Sequence, residues 1–513
     1  MSRLIWLLYA LIGGVFWGLC FSAQGFQWAP WIALAPLLLL MGQPRPGLSG
    51  FLFVASSWLI AIPWIAGTLV NFGSMSPWLA WLLLLALVAY LGLYGAAFSF
   101  LVHRTWRTGS AWTLLLGAPA LWVLLEWVRG WMLSGFPWNL AGYAWIEVPG
   151  ALEASAWIGA YGVSFLVVFS NVGIALAIDR RRWRLAAWAL LVPICALILA
   201  DRWEARVQPE YSGEPLEVRV VQPNIPNLAE WDPKVMQSHY AGLVAQSHQA
   251  CDRGGALIVW PESAAWPYQL GRDPQLASDL AALNAKGCSV LLNSVRRQGE
   301  SVFNSAFVVS GGEESWYDKR HLVPWGEYVP LSGLLSIVET IARNAGDFDA
   351  GSEVRLLAVE GQSLGAAICY EAVFPREVAQ TVAEGASILV SITNDDWYGP
   401  SSARWQHLRA ARFRSAETRR PMLRAAVTGV SAVIAADGAL IESAGPEERR
   451  TLSASVAGRK DMTIYVRFGG LMPWLMSLLC AFAIFWTRRS DRSEVPWSPE
   501  VRSCPRSFED GSQ

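Results

Sequence analysis

The stretch Gly365-Ala-Ala-Ile-Cys-Tyr-Glu371 places a cysteine at the end of an apolar, β-rich run. Two upstream segments, Val259-Trp-Pro-Glu262 and Tyr317-Asp-Lys-Arg-His-Leu-Val-Pro-Trp-Gly-Glu327, contribute carboxylates and an isolated lysine. A thiol nucleophile, a carboxylate base and an ammonium are the groups that amide or acyl transfer requires. The pattern therefore predicts an α/β domain with a reactive cysteine at the rim of a sheet.

Each of these residues also has a purely structural interpretation. Cys369 fits a buried core position, because cysteine packs as a small hydrophobe. Lys319 fits a solvated surface charge, and Glu262 and Glu327 fit turns. As catalytic groups, Glu262 would take the proton of the Cys369 thiol, and Lys319 would favour the thiolate and stabilise a developing oxyanion. Glu327 would then hold Lys319 in place.

The composition indicates a membrane protein. Of 513 residues, 53% are hydrophobic, 16% are charged and 29 residues are tryptophan. This is too apolar for a soluble chain of this length, and tryptophan favours membrane–water interfaces. The net charge of −1 does not indicate the basic surface that is typical of nucleic-acid-binding proteins. The five histidines are scattered without metal-ligand spacing, so neither a metal nor another cofactor is expected.

Eight hydrophobic runs of spanning length organise the chain. Seven of them make residues 1–205 a helical membrane domain, and the eighth is a span at 468–487. The first is expected to be a retained span, and the tail 488–513 is expected to be disordered. The runs lie at 5–22, 26–42, 48–68, 78–102, 111–133, 153–178, 183–201 and 468–487.

Residues 216–460 have a different periodicity, which predicts an α/β domain. Short β-branched runs occur at 216–224, 256–260, 288–295, 302–310, 363–369, 386–393 and 430–436. Helical patterns lie between them at 233–252, 274–286 and 402–419. Among the cysteines of this domain, Cys251 and Cys288 could pair, although nothing in their spacing favours it, and an odd count leaves one thiol free.

The distribution of arginine predicts the orientation, because basic loops stay in the cytoplasm. Arginines occur between the fourth and fifth runs, between the sixth and seventh, and after the eighth, whereas the loops at 69–77 and 134–152 have no Lys or Arg. Both termini would then be cytoplasmic. The α/β domain would face the periplasm of a Gram-negative host, with the spans in its inner membrane.

The motifs of both halves resemble a known family. The order Glu, Lys, Cys resembles the nitrilase superfamily, and the motifs of the membrane half resemble its membrane-bound branch, the apolipoprotein N-acyltransferases. The likeness extends to about residue 487. Its motifs are Glu126-x-x-Arg129-Gly, Gly135-Phe-Pro-Trp138, Val221-Gln-Pro-Asn-Ile-Pro226, Trp260-Pro-Glu-Ser263, Lys319-Arg-His-Leu-Val-Pro-Trp-Gly-Glu327, Ala367-Ile-Cys-Tyr-Glu371 and Thr393-Asn-Asp-Asp-Trp-Tyr-Gly399.

This resemblance implies an αββα sandwich in which Glu262, Lys319 and Cys369 form a catalytic triad. It implies that a membrane phospholipid donates an acyl chain to Cys369, and that the α-amine of a diacylated apolipoprotein accepts it. The alternatives are a membrane-anchored nitrilase-type amidohydrolase, with water as acceptor, and a non-enzymatic lipid carrier. Supporting roles are implied for Glu327, Tyr370, Glu371 and, on a loop near the site, Trp231.

The membrane motif has its own interpretation. Glu126 and Arg129 share one face of a helix, and a structural ion pair is the favoured prediction, because charges inside a span are costly unless paired. Phe136 and Trp138 are expected at the outer interface beneath the α/β domain. There they would either guide lipid chains as substrate-binding residues or anchor the protein in the bilayer.

The orientation can be tested with a reporter enzyme that is active only in the periplasm. A fusion near Gly213 is expected to be active, and a fusion after Arg182 is expected to be silent, because the arginine asymmetry places them on opposite sides of the membrane. Reporter activity in whole cells is the measurement, and the reverse pattern would overturn the orientation.

Overall fold

The computed structural model describes residues 3–23, 28–73, 75–108, 110–181, 183–225, 232–328 and 348–493. Trp231 lies outside these ranges, as do residues 494–513 of the predicted tail. The first part of the predicted tail is helical, because the last helix continues to Ser493. The described chain consists of a helical membrane part and two six-stranded sheets.

Apolar helices make up the first part, and proline begins several of them, at a position where its missing N–H breaks no hydrogen bond. The helices of the whole described chain are α1 (Arg3–Leu19), α2 (Ala35–Leu39), α3 (Pro46–Ala61), α4 (Trp64–Asn71), α5 (Pro77–Thr108), α6 (Ala111–Arg129), α7 (Ala151–Arg180), α8 (Trp183–Glu204), α9 (Pro233–Cys251), α10 (Pro274–Ala285), α11 (Pro375–Ala383), α12 (Ala403–Thr418), α13 (Ile464–Phe468) and α14 (Met472–Ser493).

The number of spans differs from the predicted eight. Within the described residues, five helical stretches are long and apolar enough to cross a membrane, or six if α3 and α4, which are bent by 52°, count as one span. The run at 26–42 is split into short pieces because Pro30 and Pro36 each begin a new helix instead of continuing one. The five stretches are Pro77–Arg107, Ala111–Arg129, Ala151–Arg180, Trp183–Glu204 and Ile464–Ala483.

Two mixed sheets form the second part. Parallel strands occupy the middle of each sheet, β1-β2-β3 in one and β7-β8-β9 in the other, and antiparallel strands flank them. The sheet orders are β12-β1-β2-β3-β4-β5 and β11-β10-β9-β8-β7-β6. The strands are β1 (Leu216–Gln222), β2 (Leu257–Val259), β3 (Ser289–Gln298), β4 (Ser301–Ser310), β5 (Glu313–Asp318), β6 (Leu357–Val359), β7 (Gln362–Ile368), β8 (Ile388–Thr393), β9 (Met422–Ala426), β10 (Ser431–Ile434), β11 (Leu440–Ala444) and β12 (Arg450–Val456).

The two sheets pack face to face, and helices cover both outer faces. Leu257 and Val259 point into the core between the sheets, whereas Ile258 points outwards into a second cluster with α9 and α10. This alternation is the period of two that a strand imposes. The outer face of the other sheet is covered by α11 and α12. The layers confirm the αββα sandwich that the resemblance implied, and each predicted β-branched run overlaps an observed strand.

Helix α12 joins the sandwich to the membrane part. The Gln406 amide group donates to the carbonyl oxygens of Phe21 and Ala61, at the ends of α1 and α3, and its oxygen accepts a bond from the Trp138 indole at 2.7 Å. Gln406 is buried, so water does not compete for these bonds. The sandwich is therefore fixed to one end of the helical part.

Cys251 at the end of α9 and Cys288 beside β3 form a disulfide, which the sequence left open. The bond links two elements of the first sheet's outer layer across 37 residues of sequence. Closing such a loop restricts the unfolded chain and thereby stabilises the folded one.

Replacing both Cys251 and Cys288 by alanine is expected to lower the free energy of unfolding by about 2–4 kcal/mol, because the unfolded chain regains the freedom that the disulfide removes. Denaturant unfolding in detergent is the measurement, with Cys195→Ala, an exposed free cysteine, as the matched control. Equal stability of the two variants would contradict a stabilising disulfide.

Candidate active site

Three predicted site residues follow strand ends at one edge of the sandwich. Glu262 comes shortly after β2 and Lys319 directly after β5, both in the first sheet, whereas Cys369 directly follows β7 in the second. All three are buried. The site is therefore built across the sandwich, with the nucleophile candidate on one sheet and the charged groups on the other.

Lys319 is held between two carboxylates. Its Nζ atom lies 2.8 Å from Oε2 of Glu327 and 3.7 Å from Oε1 of Glu262, and only 1% of its side chain is exposed. The structure thus brings Glu327 to the position that the sequence predicted for it. A buried ammonium requires such partners, since an unpaired buried charge costs several kcal/mol.

Two asparagines orient the carboxylates. Asn394 belongs to the motif Thr393–Gly399 but was assigned no role, and Asn304 lies in none of the predicted motifs. The side-chain amide of Asn304, on β4, donates to Glu262 at 3.1 Å and to Glu327 at 2.7 Å. The main-chain N–H of Asn394, after β8, donates to the other oxygen of Glu262 at 3.1 Å. Both oxygens of Glu262 are therefore fixed, and its geometry does not depend on Lys319 alone.

The protonation states follow from burial and from these neighbours. Burial raises the pKa of the Glu262 carboxyl above its ordinary value, against the opposing effect of Lys319. Burial lowers the pKa of Lys319, but Glu327 and Glu262 outweigh it and raise that pKa overall. Burial, reinforced by Glu262 and partly offset by Lys319, raises the pKa of the Cys369 thiol to about 12. At neutral pH the resting site therefore holds a thiol beside an ammonium, and the neighbouring Glu262 carboxyl is more basic than an ordinary one.

Cys369 has an unusual backbone conformation, with φ +52°. This left-handed region disfavours every residue with a Cβ atom. The hydroxyls of Thr393 and Tyr398 lie within hydrogen-bonding reach of its side chain. Tyr398 belongs to the motif Thr393–Gly399, and the sequence alone assigned it no role.

Glu371 fastens the loop of Lys319 to the turn of Cys369. One of its oxygens accepts bonds from the Tyr317 hydroxyl and from the backbone N–H groups of Arg320 and His321, and the other accepts from the Ile368 N–H at 2.7 Å. Glu371 therefore bonds both loops. Its place is therefore structural support of the site.

Tyr370 connects the site to the membrane part. Its hydroxyl donates to the carbonyl oxygen of Gly135 at 3.0 Å, in the segment between α6 and α7. Its ring stacks with Trp138 at 6.3 Å, and Trp138 stacks in turn with Phe136. The structure therefore brings Phe136 and Trp138 next to the turn of Cys369, and both pack against buried apolar residues of the helices.

The predicted ion pair between Glu126 and Arg129 is wrong in its geometry. Among the described residues, no salt bridge joins them within 4.0 Å. Glu126 instead accepts bonds from the Trp122 indole and the Ala141 N–H, and Arg129 donates to the Trp138 carbonyl at 3.0 Å. Trp138 and Ala141 belong to the segment after α6, whose backbone groups have no hydrogen-bond partners within a helix. Glu126 and Arg129 therefore each bond a backbone group of that segment.

Metal ligation is not supported by the described residues, where no group of three or more His, Cys, Asp or Glu side chains is placed to hold an ion. The groups present instead suit nucleophilic substitution at a carbonyl carbon. They comprise a thiol, a base that accepts its proton, and a cation for the charge that develops on oxygen.

Known proteins with similar sequences cover both halves. Residues 13–173 match the apolipoprotein N-acyltransferase N-terminal domain, and residues 217–460 match carbon-nitrogen hydrolase. The chain is 33% identical to the apolipoprotein N-acyltransferase of Geobacter metallireducens over 91% of this chain and 92% of the relative. It is 33% identical to that of Methylococcus capsulatus over 93% and 94%, respectively. A solved carbon-nitrogen hydrolase superfamily protein from Xanthomonas campestris has 18% identity and a TM-score of 0.37, over 48% of this chain and 91% of that one.

The buried ammonium gives a prediction that does not depend on the reaction. Lys319→Met is expected to lower the free energy of unfolding by about 3–5 kcal/mol at neutral pH, because it leaves buried carboxylates without their cation. Loss of Lys319 raises the pKa of Glu262 further above its unfolded value. The folded variant then binds more protons than the unfolded chain, so its stability falls as the pH rises.

The deficit should therefore shrink as the pH is lowered towards the ordinary carboxyl pKa, as followed by denaturant unfolding in detergent. Lys286→Met is the matched control, since Lys286 forms an exposed pair with Asp252 and is expected to contribute little. A deficit that does not depend on pH would contradict this assignment of charges.

Proposed function

Because the chain belongs to the apolipoprotein N-acyltransferase family, we propose that it transfers a fatty acyl chain from a membrane phospholipid to the α-amine of the N-terminal diacylglyceryl-cysteine of a lipoprotein. Glu262, Lys319 and Cys369 are the proposed catalytic triad, and the product is a triacylated lipoprotein. The chain is an acyltransferase with apolar helices and a carbon-nitrogen hydrolase domain.

One observation carries this proposal. The turn that holds Cys369 packs directly on the aromatic segment between α6 and α7, through Tyr370, Gly135 and Trp138. A nucleophile at this junction meets substrates that are themselves confined to the bilayer. Such confinement keeps the substrates close to the nucleophile. The cost of bringing two reactants together in the right geometry is a large part of the barrier of a bimolecular reaction.

In the first half-reaction, the Glu262 carboxylate takes the proton of the Cys369 thiol as the sulfur attacks the ester carbonyl carbon of the phospholipid. The charge that develops on the carbonyl oxygen is stabilised by the Lys319 ammonium. Collapse of this intermediate breaks the ester C–O bond, and Glu262 returns the proton to the departing oxygen. The products are a thioester on Cys369 and a lysophospholipid.

In the second half-reaction, the lipoprotein amine attacks the thioester carbonyl carbon. Glu262 accepts a proton from the attacking nitrogen, the C–S bond breaks, and the thiolate of Cys369 takes the proton back. A base with a raised pKa suits both steps, because it holds the proton more strongly than an ordinary carboxylate does and then returns it. Glu327 and Glu371 hold the two loops in place during both steps.

We propose further that residues 216–460 form a periplasmic catalytic domain between the membrane domain 1–205 and a C-terminal span at 468–487, with a cytoplasmic tail after it. Arg104 and Arg107 near the end of α5, and Arg180 at the end of α7, support this orientation, whereas residues 130–150 contain no Lys or Arg. The Cys251–Cys288 disulfide also supports it, because such bonds persist in oxidising compartments.

The acyl-enzyme intermediate is the test of this mechanism. With phospholipid alone, purified protein is expected to gain the mass of one fatty acyl chain on Cys369, and neutral hydroxylamine should remove it, since the reagent cleaves thioesters but not amides. A diacylated lipopeptide should then discharge the enzyme and become triacylated. Mass spectrometry of protein and peptide measures each step.

Cys369→Ala and Glu262→Gln are each expected to abolish loading, as is Lys319→Arg, since a planar guanidinium cannot replace a compact ammonium. Cys195→Ala is the control that should load normally. Release of free fatty acid without acylated peptide would favour the amidohydrolase. Lysophospholipid that appears only when both substrates are present would favour direct transfer without a covalent intermediate.

A further inference from the structure

His407 lies directly beneath the turn of Cys369, and the reaction described above does not use it. It is on α12, its side chain is fully buried, and its Nε2 atom is 3.1 Å from the main-chain carbonyl oxygen of Cys369. The neighbouring Gln406 fixes the same turn of α12 to the membrane part. His407 is therefore held rigidly, with one ring nitrogen aimed at the backbone of the nucleophile.

The contacts of His407 select one tautomer. A carbonyl oxygen only accepts, so Nε2 must carry a proton to bond Cys369. Nδ1 lies 3.2 Å from Nη2 of Arg424, which only donates, and 3.1 Å from Oδ1 of Asp395. Asp395 already accepts bonds from Arg424 at 2.7 Å and from the Thr393 hydroxyl at 2.8 Å.

An unprotonated Nδ1 accepts from Arg424. Nε2 carries a proton in this neutral tautomer and also in an imidazolium that donates from Nδ1 to Asp395, so the bond to Cys369 is made in both forms. Burial and the Arg424 guanidinium lower the pKa of His407, against the effect of Asp395, which agrees with a neutral ring. The arginine thus keeps the imidazole neutral, and the proton stays on Nε2, where it faces Cys369.

The backbone of Cys369 needs such a partner. A non-glycine residue in the left-handed region costs about 1–3 kcal/mol and persists only where its surroundings hold it. The conformation at Cys369, φ +52°, ends β7 sharply and brings the side chain under the influence of Glu262 and Lys319. A donor fixed on the carbonyl side of this residue stabilises that conformation.

We propose that His407 is a positioning residue, which donates from Nε2 to the carbonyl oxygen of Cys369 and holds the nucleophile in its left-handed conformation. Asp395 and Arg424 fix the ring in the tautomer that makes this bond. The inference rests on the proposed role of Cys369 as nucleophile. It predicts that the reactivity of the thiol, rather than the binding of lipid, depends on His407.

The test compares three substitutions at this position in the full-length protein in detergent. His407→Leu removes the donor, His407→Gln places an amide N–H near the position of Nε2, and His407→Asn reaches only the position of Nδ1. Leu408→Ala is the matched control, because Leu408 is buried on the same helix in the cluster against the second sheet. It weakens the fold without touching Cys369.

Two rates are measured for each variant. One is alkylation of Cys369 by iodoacetamide, followed on its peptide by mass spectrometry, and the other is acyl loading from phospholipid over a range of lipid concentrations. His407→Leu and His407→Asn are expected to slow both rates at least about tenfold with little change in KM, since a misplacement of roughly 1 Å can cost about a hundredfold. His407→Gln should recover most of the loss.

An equal loss in Leu408→Ala, or normal alkylation in His407→Leu, would overturn the proposal. Failure of His407→Gln to recover more than His407→Asn would also overturn it, since the two amides differ only in reach. If the native protein is alkylated at Cys369 but never loads acyl chains, the proposed function fails. The alkylation series still decides the role of His407 in that case.

Discussion

A buried ammonium is the interaction on which the site depends. Lys319 is almost completely removed from water, and it is stable there only because carboxylates from two different loops surround it. Those carboxylates are in turn fixed by amide groups of both sheets, Asn304 from the first and Asn394 from the second. The stabilisation of the buried Lys319 ammonium thus depends on the face-to-face packing of the two sheets. Loss of their alignment would separate the base from the thiol.

The edge of the sandwich that carries the site also faces the helices, so the site lies beside the membrane part. Gln406 and Tyr370 bond backbone carbonyls of the membrane part, and His321 contacts the carbonyl oxygen of Ser134 at 2.9 Å. These carbonyls lie at helix ends or in the segment after α6, where backbone groups have no helical partners. Side chains of the sandwich therefore satisfy backbone groups at the ends of the apolar helices, and the two parts form one continuous structure.

The β-branched runs were sufficient to predict an α/β domain, because such strands leave strong local signals. The αββα sandwich and the roles of Glu262, Lys319 and Cys369 were predicted from the resemblance of the motifs to a known family. The sequence did not identify residues whose role depends on partners that are distant along the chain. Asn304 and His407 lie in ordinary strand and helix patterns, and only the fold brings them to Glu262 and Cys369. Five strands, β5, β6, β9, β11 and β12, lie outside the predicted runs, because most of them contain polar or charged residues that interrupt the apolar pattern and β6 has only three residues. Hydropathy also does not register the breaks at Pro30 and Pro36, which divide the predicted run at 26–42 into short helices.

The pairing of β1 with β12 has a consequence for biogenesis. These strands are the first and last of the sandwich, and they are adjacent in the same sheet along their full length. During synthesis, one edge of β1 therefore stays unpaired until β12, which ends at Val456, has been made. The apolar stretch that begins at Ile464 is synthesised directly afterwards. Such long-range pairing is slow, and an open edge invites aggregation. Completion of the sheet is thus tied in time to insertion of the last helix into the bilayer, and a chain interrupted before β12 would leave the cell with an incomplete sheet already attached to its membrane by the earlier helices.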